Sequence, residues 1–237
     1  MTPGYIGDVR DFDKLKSFAR ISGILVNLTP LRVGLGEEPP LGATVDHTYL
    51  RFRRNGESTP YIPGSTLKGV IRNHFEQLAR LKYPDLHDPW DREEIDKEAE
   101  EADFCVVCGT FGSTRIASHI KAFDAYPIGE VTTNIKTSVG IDREFQGARP
   151  GILYTEEFVE PGYEWSFKMD IINIAFPEGG DERSLFLTEA LKALKLGLLN
   201  FGARKSVGFG QIQLKEAKWI RYVLKEGVLT EERSGSI

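Results

Sequence analysis

Residues 61–76 bring hydroxyl groups and cations together at the start of a predicted helix. A Pro-Gly turn precedes Ser65 and Thr66, either of which can cap the helix through its hydroxyl. Lys68 and Arg72 are four residues apart and therefore lie on one face of the helix. Free backbone N–H groups, hydroxyls and stacked cations predict an anion-binding site. The alternative is a capped amphipathic helix whose cations are simply solvated.

The glycine-rich stretch 202–210 is a second candidate anion site. Its glycines let the backbone approach a phosphate closely, while Arg204 offers a planar guanidinium and Lys205 a point charge. The P-loop pattern of nucleoside-triphosphate sites is absent, because no glycine precedes Lys205. The alternative here is a helix C-cap followed by a turn into a strand.

The two cysteines of the chain, Cys105 and Cys108, are separated by two residues. They cannot form the disulfide framework of a small secreted protein. In an intracellular chain this spacing is typical of metal binding or redox chemistry.

The overall composition excludes several classes of protein. Hydrophobic residues make up 41% of the 237, enough for a substantial core in one large domain or two small ones. The net charge of −5 argues against a uniformly basic protein that coats nucleic acid. The acid is concentrated in residues 91–103, predicted to be a solvated helix or insertion, so a local basic groove is not excluded. Without a signal peptide or an apolar run of ~20 residues, we expect a cytoplasmic protein with no membrane partner.

The hydrophobic pattern predicts the elements that must position these groups. Strands are predicted at 19–28, 49–53, 116–124, 155–161, 163–174 and 211–214, and helices from the Pro-Gly turn to about 82 and at 184–198. Residues 1–17 are predicted to form a loosely attached arm, and 127–151 a protruding hairpin or long loop. Stripped of insertions, the order predicts an α+β fold with a modified ferredoxin-like or RRM-like (βαββαβ) core, its helices covering one face of an antiparallel sheet.

Both candidate anion sites also resemble motifs of a known family. The run Tyr61-Ile-Pro-Gly-Ser-Thr-Leu-Lys-Gly69, followed by Arg72, resembles a motif of the RAMP superfamily (repeat-associated mysterious proteins) of CRISPR systems. The stretch 202–210 resembles the family's C-terminal glycine-rich loop. The nearest likeness is to the multi-copy backbone subunit of type III effector complexes, and it runs from about residue 19 to 216. Weaker likenesses, in the family's order, are Phe111-Gly-Ser113, Phe123-Asp-Ala125, Gly140-Ile-Asp-Arg143, Gly151 and Glu156-Glu157.

The resemblance implies a subunit that binds guide CRISPR RNA and pairs it with target RNA. Ser65, Lys68 and Arg72 would grip the guide backbone together with the glycine-rich loop. Asp46, at the end of a loop after the first strand, would cleave the target RNA with Mg²⁺ or another divalent ion. Without the resemblance, Asp46 is an ordinary surface-loop residue. Copies of the subunit would stack head to tail beside other subunits of the complex.

The resemblance also implies that residues 127–151 form a β-hairpin thumb that presses between guide and target strands. Lys136 and Arg143 would contact RNA there. Candidates for the residue that wedges bases apart are Ile135, Val139, Ile141 and Phe145. The alternative is a mobile loop with scattered charge.

A structural zinc ion is the last feature that the resemblance implies. Its ligands would be His74, His87, Cys105 and Cys108, which would tie the insertion to the first helix. His87 stands where the family's usual ligand is a cysteine, and His119 is a less attractive candidate. The other reading is solvated histidines and a reduced, buried cysteine pair.

Taken together, these predictions describe one RAMP domain over residues 1–237. Its core covers about 19–82 and 111–220, its insertion about 83–110 and its thumb about 127–151. Three alternatives stay open: a non-catalytic RNA-scaffolding subunit, a metal-independent guide-processing endonuclease of the same superfamily, and a zinc-dependent hydrolase of a small substrate. A closed set of four zinc ligands argues against the hydrolase, which needs an open metal position.

Overall fold

A computed structural model describes residues 3–34, 45–54, 56–177, 180–225 and 227–237. The elements are β1 (Ser17–Asn27), β2 (Arg51–Arg54), β3 (Glu57–Pro60), α1 (Gly64–Lys82), α2 (Arg92–Glu101), α3 (Cys108–Phe111), β4 (Ile120–Ala122), β5 (Thr133–Ile141), β6 (Ala148–Val159), β7 (Glu164–Ile172), α4 (Glu182–Lys195), β8 (Leu199–Asn200), β9 (Gln211–Lys225) and β10 (Val228–Ser236).

The central sheet is antiparallel, with the strand order β10-β9-β1-β7-β4 and with β8 paired to β9. Without the insertions, its elements follow one another as β1-α1-β4-β7-α4-β9. The two halves of this unit interleave, because β1 and β7 are neighbours at its centre. The arrangement confirms the predicted α+β class and is consistent with the ferredoxin-like fold.

Both long helices, α1 and α4, pack against the core of the sheet and against each other. Alternate residues of β7, from Trp165 to Ile171, are buried, as expected for a strand with one face covered. Phe75 of α1 meets Phe186 of α4 edge-on, with ring centroids 5.4 Å apart. Each buried apolar side chain contributes roughly 1.5–3 kcal/mol. This packing fixes which face of α1 is left for other contacts.

The N-terminus of α1 is capped by a residue from another part of the chain. Neither Ser65 nor Thr66 caps it, so the predicted hydroxyl cap is wrong. Instead, the N–H of Gly64 donates a hydrogen bond of 2.8 Å to Oδ1 of Asp124. A Cβ at Gly64 would lie 2.4 Å from the carbonyl oxygen of Ala122, so glycine lets the helix start press against the end of β4.

Both ends of the chain are more ordered than their polar sequences predict. The predicted strand 211–214 extends to Lys225 as β9 and pairs with β10, which the sequence presents as a polar tail. The N-terminal arm is wrongly predicted to be loose. The N–H of Ile6 donates to the carbonyl oxygen of Phe104 at 3.0 Å, and the N–H of Val106 donates to that of Gly4 at 2.9 Å.

Strands β5 and β6 form a hairpin outside the central sheet. It covers most of 127–151, where a protruding hairpin is predicted, and residues 143–153 are all exposed. Its base is anchored where Val159 and Leu31 exchange backbone hydrogen bonds of 2.8 and 2.9 Å. In the described residues, no helix is long and apolar enough to cross a membrane.

Candidate functional site

An open groove of about 800 Å³ runs between α1 and residues 198–205. Residues 32–34 complete its lining. On the α1 side the lining residues are Thr66, Gly69, Val70, Asn73, His74 and Gln77. The groove therefore joins the two stretches that the sequence marks as candidate anion sites.

Glycines give the loop side of the groove a fixed position. Gly202 has a φ of +73°, and a Cβ there would lie 2.0 Å from the carbonyl oxygen of Arg32. The N–H of Ala203 donates to the same oxygen at 2.9 Å, and the N–H of Gly210 donates to that of Pro30 at 2.8 Å. Glycine is needed at 202 because only it combines this backbone conformation with so close an approach.

The predicted cations of α1 do not line this groove. Arg72 is bound to Glu76 at 2.8 Å and donates to the carbonyl oxygen of Gly112 at 3.2 Å. Lys68 is half-buried, and its burial, followed by the neighbouring charge of Arg72, lowers the pKa of its ammonium group. Ser65 is exposed at the helix start. The face toward the glycine-rich loop carries polar uncharged groups instead.

The two cations of the glycine-rich loop have different surroundings. Lys205 is exposed and lines the groove. Arg204 lies 3.0 Å from a carboxylate oxygen of Glu156 and donates to the hydroxyl of Tyr154 at 2.8 Å. The other oxygen of Glu156 pairs with Arg32 at 3.0 Å. Arg204 thus ties the loop to β6, whereas Lys205 has no ion pair among the described residues.

Asp46 is exposed and lies beside the same strand, β6. Its Oδ2 accepts hydrogen bonds from the N–H of Thr155 at 2.7 Å and from the hydroxyl of Thr155 at 2.9 Å. These bonds lower the pKa of Asp46, so the carboxylate is ionised at neutral pH. His47, the next residue, exchanges backbone hydrogen bonds with β6. The loop predicted before Asp46 falls mostly on residues 35–44, which lie outside the described residues.

The two cations predicted on the thumb occupy different parts of the hairpin. Lys136 is exposed on β5, with its ammonium nitrogen 5.6 Å from the ring centroid of Phe209 in the glycine-rich loop. Arg143 is exposed in the turn between the strands. One is therefore close to the loop, while the other lies at the far end of the hairpin.

A buried cluster of possible metal ligands lies in the insertion. His87, Glu98, Cys105 and Cys108 each offer one donor atom, and all four atoms lie within 4.8 Å of one another. Nε2 of His87 is 2.8 Å from Oε1 of Glu98, 3.3 Å from Sγ of Cys105 and 3.6 Å from Sγ of Cys108. The other oxygen of Glu98, Oε2, is buried and has no hydrogen-bond partner among the described residues. This donor set and its unpartnered oxygen fit a metal ion.

Hydrogen bonds within the cluster shift the pKa values of its histidine and cysteines. The hydrogen bond from Cys108 lowers the pKa of the Cys105 thiol to about 6 and raises the pKa of Cys108. Hydrogen bonds to Cys105 and then to Glu98 raise the pKa of His87 to about 11. Metal ligands bind in their deprotonated forms, so a cation would take the place of these protons.

The structure brings three of the four predicted zinc ligands together and leaves out His74. That residue lies on the α1 face that lines the groove. His119 is buried too, with its ring nitrogens 2.9 Å from the carbonyl oxygen of Ile172 and 3.1 Å from that of Val9. Both of its nitrogens are therefore occupied by the backbone.

Glu98 is the cluster residue that the sequence prediction misses. It belongs to the acidic run 91–103, which is predicted to be a solvated helix or insertion. Within α2, however, the buried residues are Ile95 and Glu98, three positions apart on one face. The sequence does contain a signal for this burial. Glu98 stands three residues after Ile95, the apolar residue of the helix, and so lies on the same face.

Comparison with known proteins places the chain in a family. Residues 25–213 match the model of the RAMP superfamily, a span that includes Asp46, the buried cluster and the groove. The chain is also similar to a protein of Pyrococcus furiosus named CRISPR system Cmr subunit Cmr6. The two are 27% identical over 247 residues, covering 84% of this chain and 69% of that protein. The chain belongs to the RAMP superfamily.

Proposed function

We propose that this protein is an RNA-binding subunit of a type III CRISPR effector complex and that its groove holds guide CRISPR RNA. Membership of the RAMP superfamily and the similarity to a Cmr subunit support this assignment. The groove supports it too, because Lys205 supplies positive charge beside a fixed glycine-rich wall.

Gly69 is the single observation that carries the proposal. Glycine inside a helix costs about 1 kcal/mol relative to alanine. A Cβ at Gly69 would meet no atom within 4 Å, so packing among the described residues does not require glycine there. Gly69 lines the groove. A bare backbone at this position is explained if a ligand approaches the helix closely.

The test measures how Gly69→Ala changes stability and RNA affinity in the full chain. We expect the variant to be as stable as the parent, or more stable by up to about 1 kcal/mol. We expect its affinity for single-stranded guide RNA to fall about tenfold, because the added methyl would crowd the ligand. Fluorescence anisotropy and thermal melting give the two values.

Lysine variants complete this experiment. Lys205→Ala should weaken RNA binding and reduce the slope of log affinity against log salt concentration by about one. Lys14→Ala, an exposed lysine of the N-terminal arm, is the matched control and should leave both quantities unchanged. A Gly69→Ala variant that binds RNA as tightly as the parent contradicts the proposed groove.

A second candidate function is cleavage of paired target RNA at Asp46 with Mg²⁺. It is favoured by an exposed, ionised carboxylate that Thr155 holds in place through Oδ2, which leaves Oδ1 available to a divalent ion. Such an ion would position the scissile phosphate and stabilise its developing charge. The alternatives are a scaffolding subunit without catalysis and a guide-processing endonuclease that needs no metal.

Asp46→Asn in the assembled complex distinguishes these functions. We expect target-RNA cleavage to fall about 100-fold or more while RNA binding stays unchanged. Asp13→Asn, which makes the same change at an exposed carboxylate of the N-terminal arm, is the control. Unchanged cleavage by Asp46→Asn would identify a scaffolding role. Guide-RNA cleavage that survives EDTA would support the metal-independent enzyme.

The hairpin and the stacking of subunits complete the proposal. The hairpin would act as the thumb, with Lys136 and Arg143 on RNA and apolar side chains wedged between bases. Phe145, the most exposed of these apolar side chains at 84%, supports this role. Several copies would stack head to tail beside other subunits, as in a backbone subunit. A single copy per complex in native mass spectrometry would contradict that part.

We also propose that the buried cluster holds structural Zn²⁺. Thiolate and imidazole are the donors that zinc prefers, and Glu98 supplies a fourth ligand atom. Zinc would link α2 to the Cys105–Cys108 turn and so hold the insertion together. All four ligands are protein groups in a buried site, which does not favour a zinc hydrolase.

A further inference from the structure

We propose that the groove binds an adenine base of the RNA through the side-chain amides of Asn73 and Gln77. RNA affinity would then depend on the base at this site as well as on backbone charge. This inference rests on the proposed function, because it specifies which part of the RNA the groove contacts.

The charges of the lining favour a base over a run of phosphates. Among the described residues, Arg32 and Lys205 are the cations that line the groove, and Arg32 is paired with Glu156 at 3.0 Å. That leaves Lys205 as the lining cation without an ion pair in the described part of the chain. A track for several phosphates needs a row of free cations. One free lysine suits a single phosphate at one end of the groove.

The remaining lining has the chemistry of a site for a flat, partly apolar ligand. Val70 and Leu198 offer apolar surface, and Leu198 is 66% exposed. Asn200 adds an amide on the side opposite α1 and has no side-chain hydrogen bond among the described residues. A few polar groups among apolar ones, in a volume of about 800 Å³, are typical of small-molecule and nucleobase sites.

Asn73 and Gln77 present a matched donor and acceptor. Nε2 of Gln77 donates to Oδ1 of Asn73 at 3.2 Å, which orients both amides. Nδ2 of Asn73 and Oε1 of Gln77 are left without partners in the described residues. Adenine has the complementary pair on one edge, with N7 as acceptor and the N6 amino group as donor. The amide pair can therefore hold that edge while the apolar side chains contact the base faces.

The test compares an adenosine oligonucleotide with the same oligonucleotide made from 7-deazaadenosine, in which N7 is replaced by C–H. The full chain should bind the 7-deaza RNA about fivefold or more weakly, because it loses the hydrogen bond from Asn73. The double variant Asn73→Ala/Gln77→Ala should bind both RNAs equally. Lys205→Ala should weaken binding of both RNAs by the same factor. Unchanged melting temperatures confirm that these variants are folded.

Each remaining outcome identifies which proposal fails. If the parent chain binds both RNAs with equal affinity, the base contact is wrong and the RNA-binding function stands. If the double variant still distinguishes the two RNAs, other residues read the base and the assignment to Asn73 and Gln77 is overturned. If the parent chain binds neither RNA, the proposed function fails and this inference fails with it.

Discussion

Glu98 is a buried carboxylate, and His87 pairs with one of its two oxygens. Its side chain is 1% exposed, and one oxygen receives hydrogen bonds from His87 and from the N–H of Cys105, each at 2.8 Å. The other oxygen has no partner among the described residues, and leaving a buried acceptor unpaired costs about 1–3 kcal/mol or more for a charged group. A bound cation would remove this cost. The residue is therefore better explained as a metal ligand than as part of a solvated acidic helix.

Glu98→Gln tests this role through the metal content of the purified chain. The parent should carry one zinc ion per chain, and the variant should bind zinc about 100-fold more weakly, because a neutral amide is a poor zinc ligand. Elemental analysis and competition with a zinc chelator give these values. Glu94→Gln, on the same helix but outside the cluster, is the matched control. Glu98→Cys should restore tight binding with a third thiolate. Equal affinity in the Gln variant and the parent would show that Glu98 is not a ligand.

Helix α1 shows which properties of an element its sequence determines. The apolar residues of this helix recur at helical spacing, which predicts a helix with one face on the core. Leu67, Ile71 and Phe75 are buried as expected, whereas Val70 and Leu78 are only partly buried against the core. Its cap was not predictable, because Asp124 is supplied by a segment sixty residues away. On its exposed face, the pairing of Arg72 with Glu76 has the local i,i+4 spacing that the sequence already shows. The contact of Arg72 with the carbonyl oxygen of Gly112 is tertiary, and no local pattern reveals it.

The same distinction applies to the rest of the candidate site. The spacing of Cys105 and Cys108 predicts metal or redox chemistry from the sequence, but Glu98 joins them only because of how α2 packs. Likewise, the glycine-rich loop is recognisable in sequence, whereas its partners on β6, Tyr154 and Glu156, are far away in the chain. Strand β10 was missed because all of its residues are exposed and no apolar alternation marks it. The Cys pair and the glycine-rich loop could therefore be predicted from local sequence. Their partners Glu98, Tyr154 and Glu156 could not, because tertiary packing brings them together.

At the scale of the whole molecule, the buried cluster of His87, Glu98, Cys105 and Cys108 lies where three parts of the chain meet. The N-terminal arm pairs with residues 103–106, which lead into the cluster, and Tyr5 forms a bridge with Cys105. Arg183 of α4 donates to the carbonyl oxygen of Gly109 at 3.2 Å, just beyond the cluster. His119 connects the arm to the end of β7 through Val9 and Ile172. The cluster thus fixes the backbone against which the arm is docked.

Removal of the metal should therefore loosen the arm and the insertion before it affects the sheet. After treatment with a zinc chelator, we expect hydrogen–deuterium exchange to increase at residues 4–9 and 103–108, because the 103–106 backbone that pairs with the arm would lose its tether. Strands β1 and β7 should remain protected, because their core packs against α1 and α4. The Glu98→Gln variant should show this pattern without chelator, and Glu94→Gln should not. Simultaneous exchange in the sheet and the arm, or none in the arm, would contradict this local role for the metal.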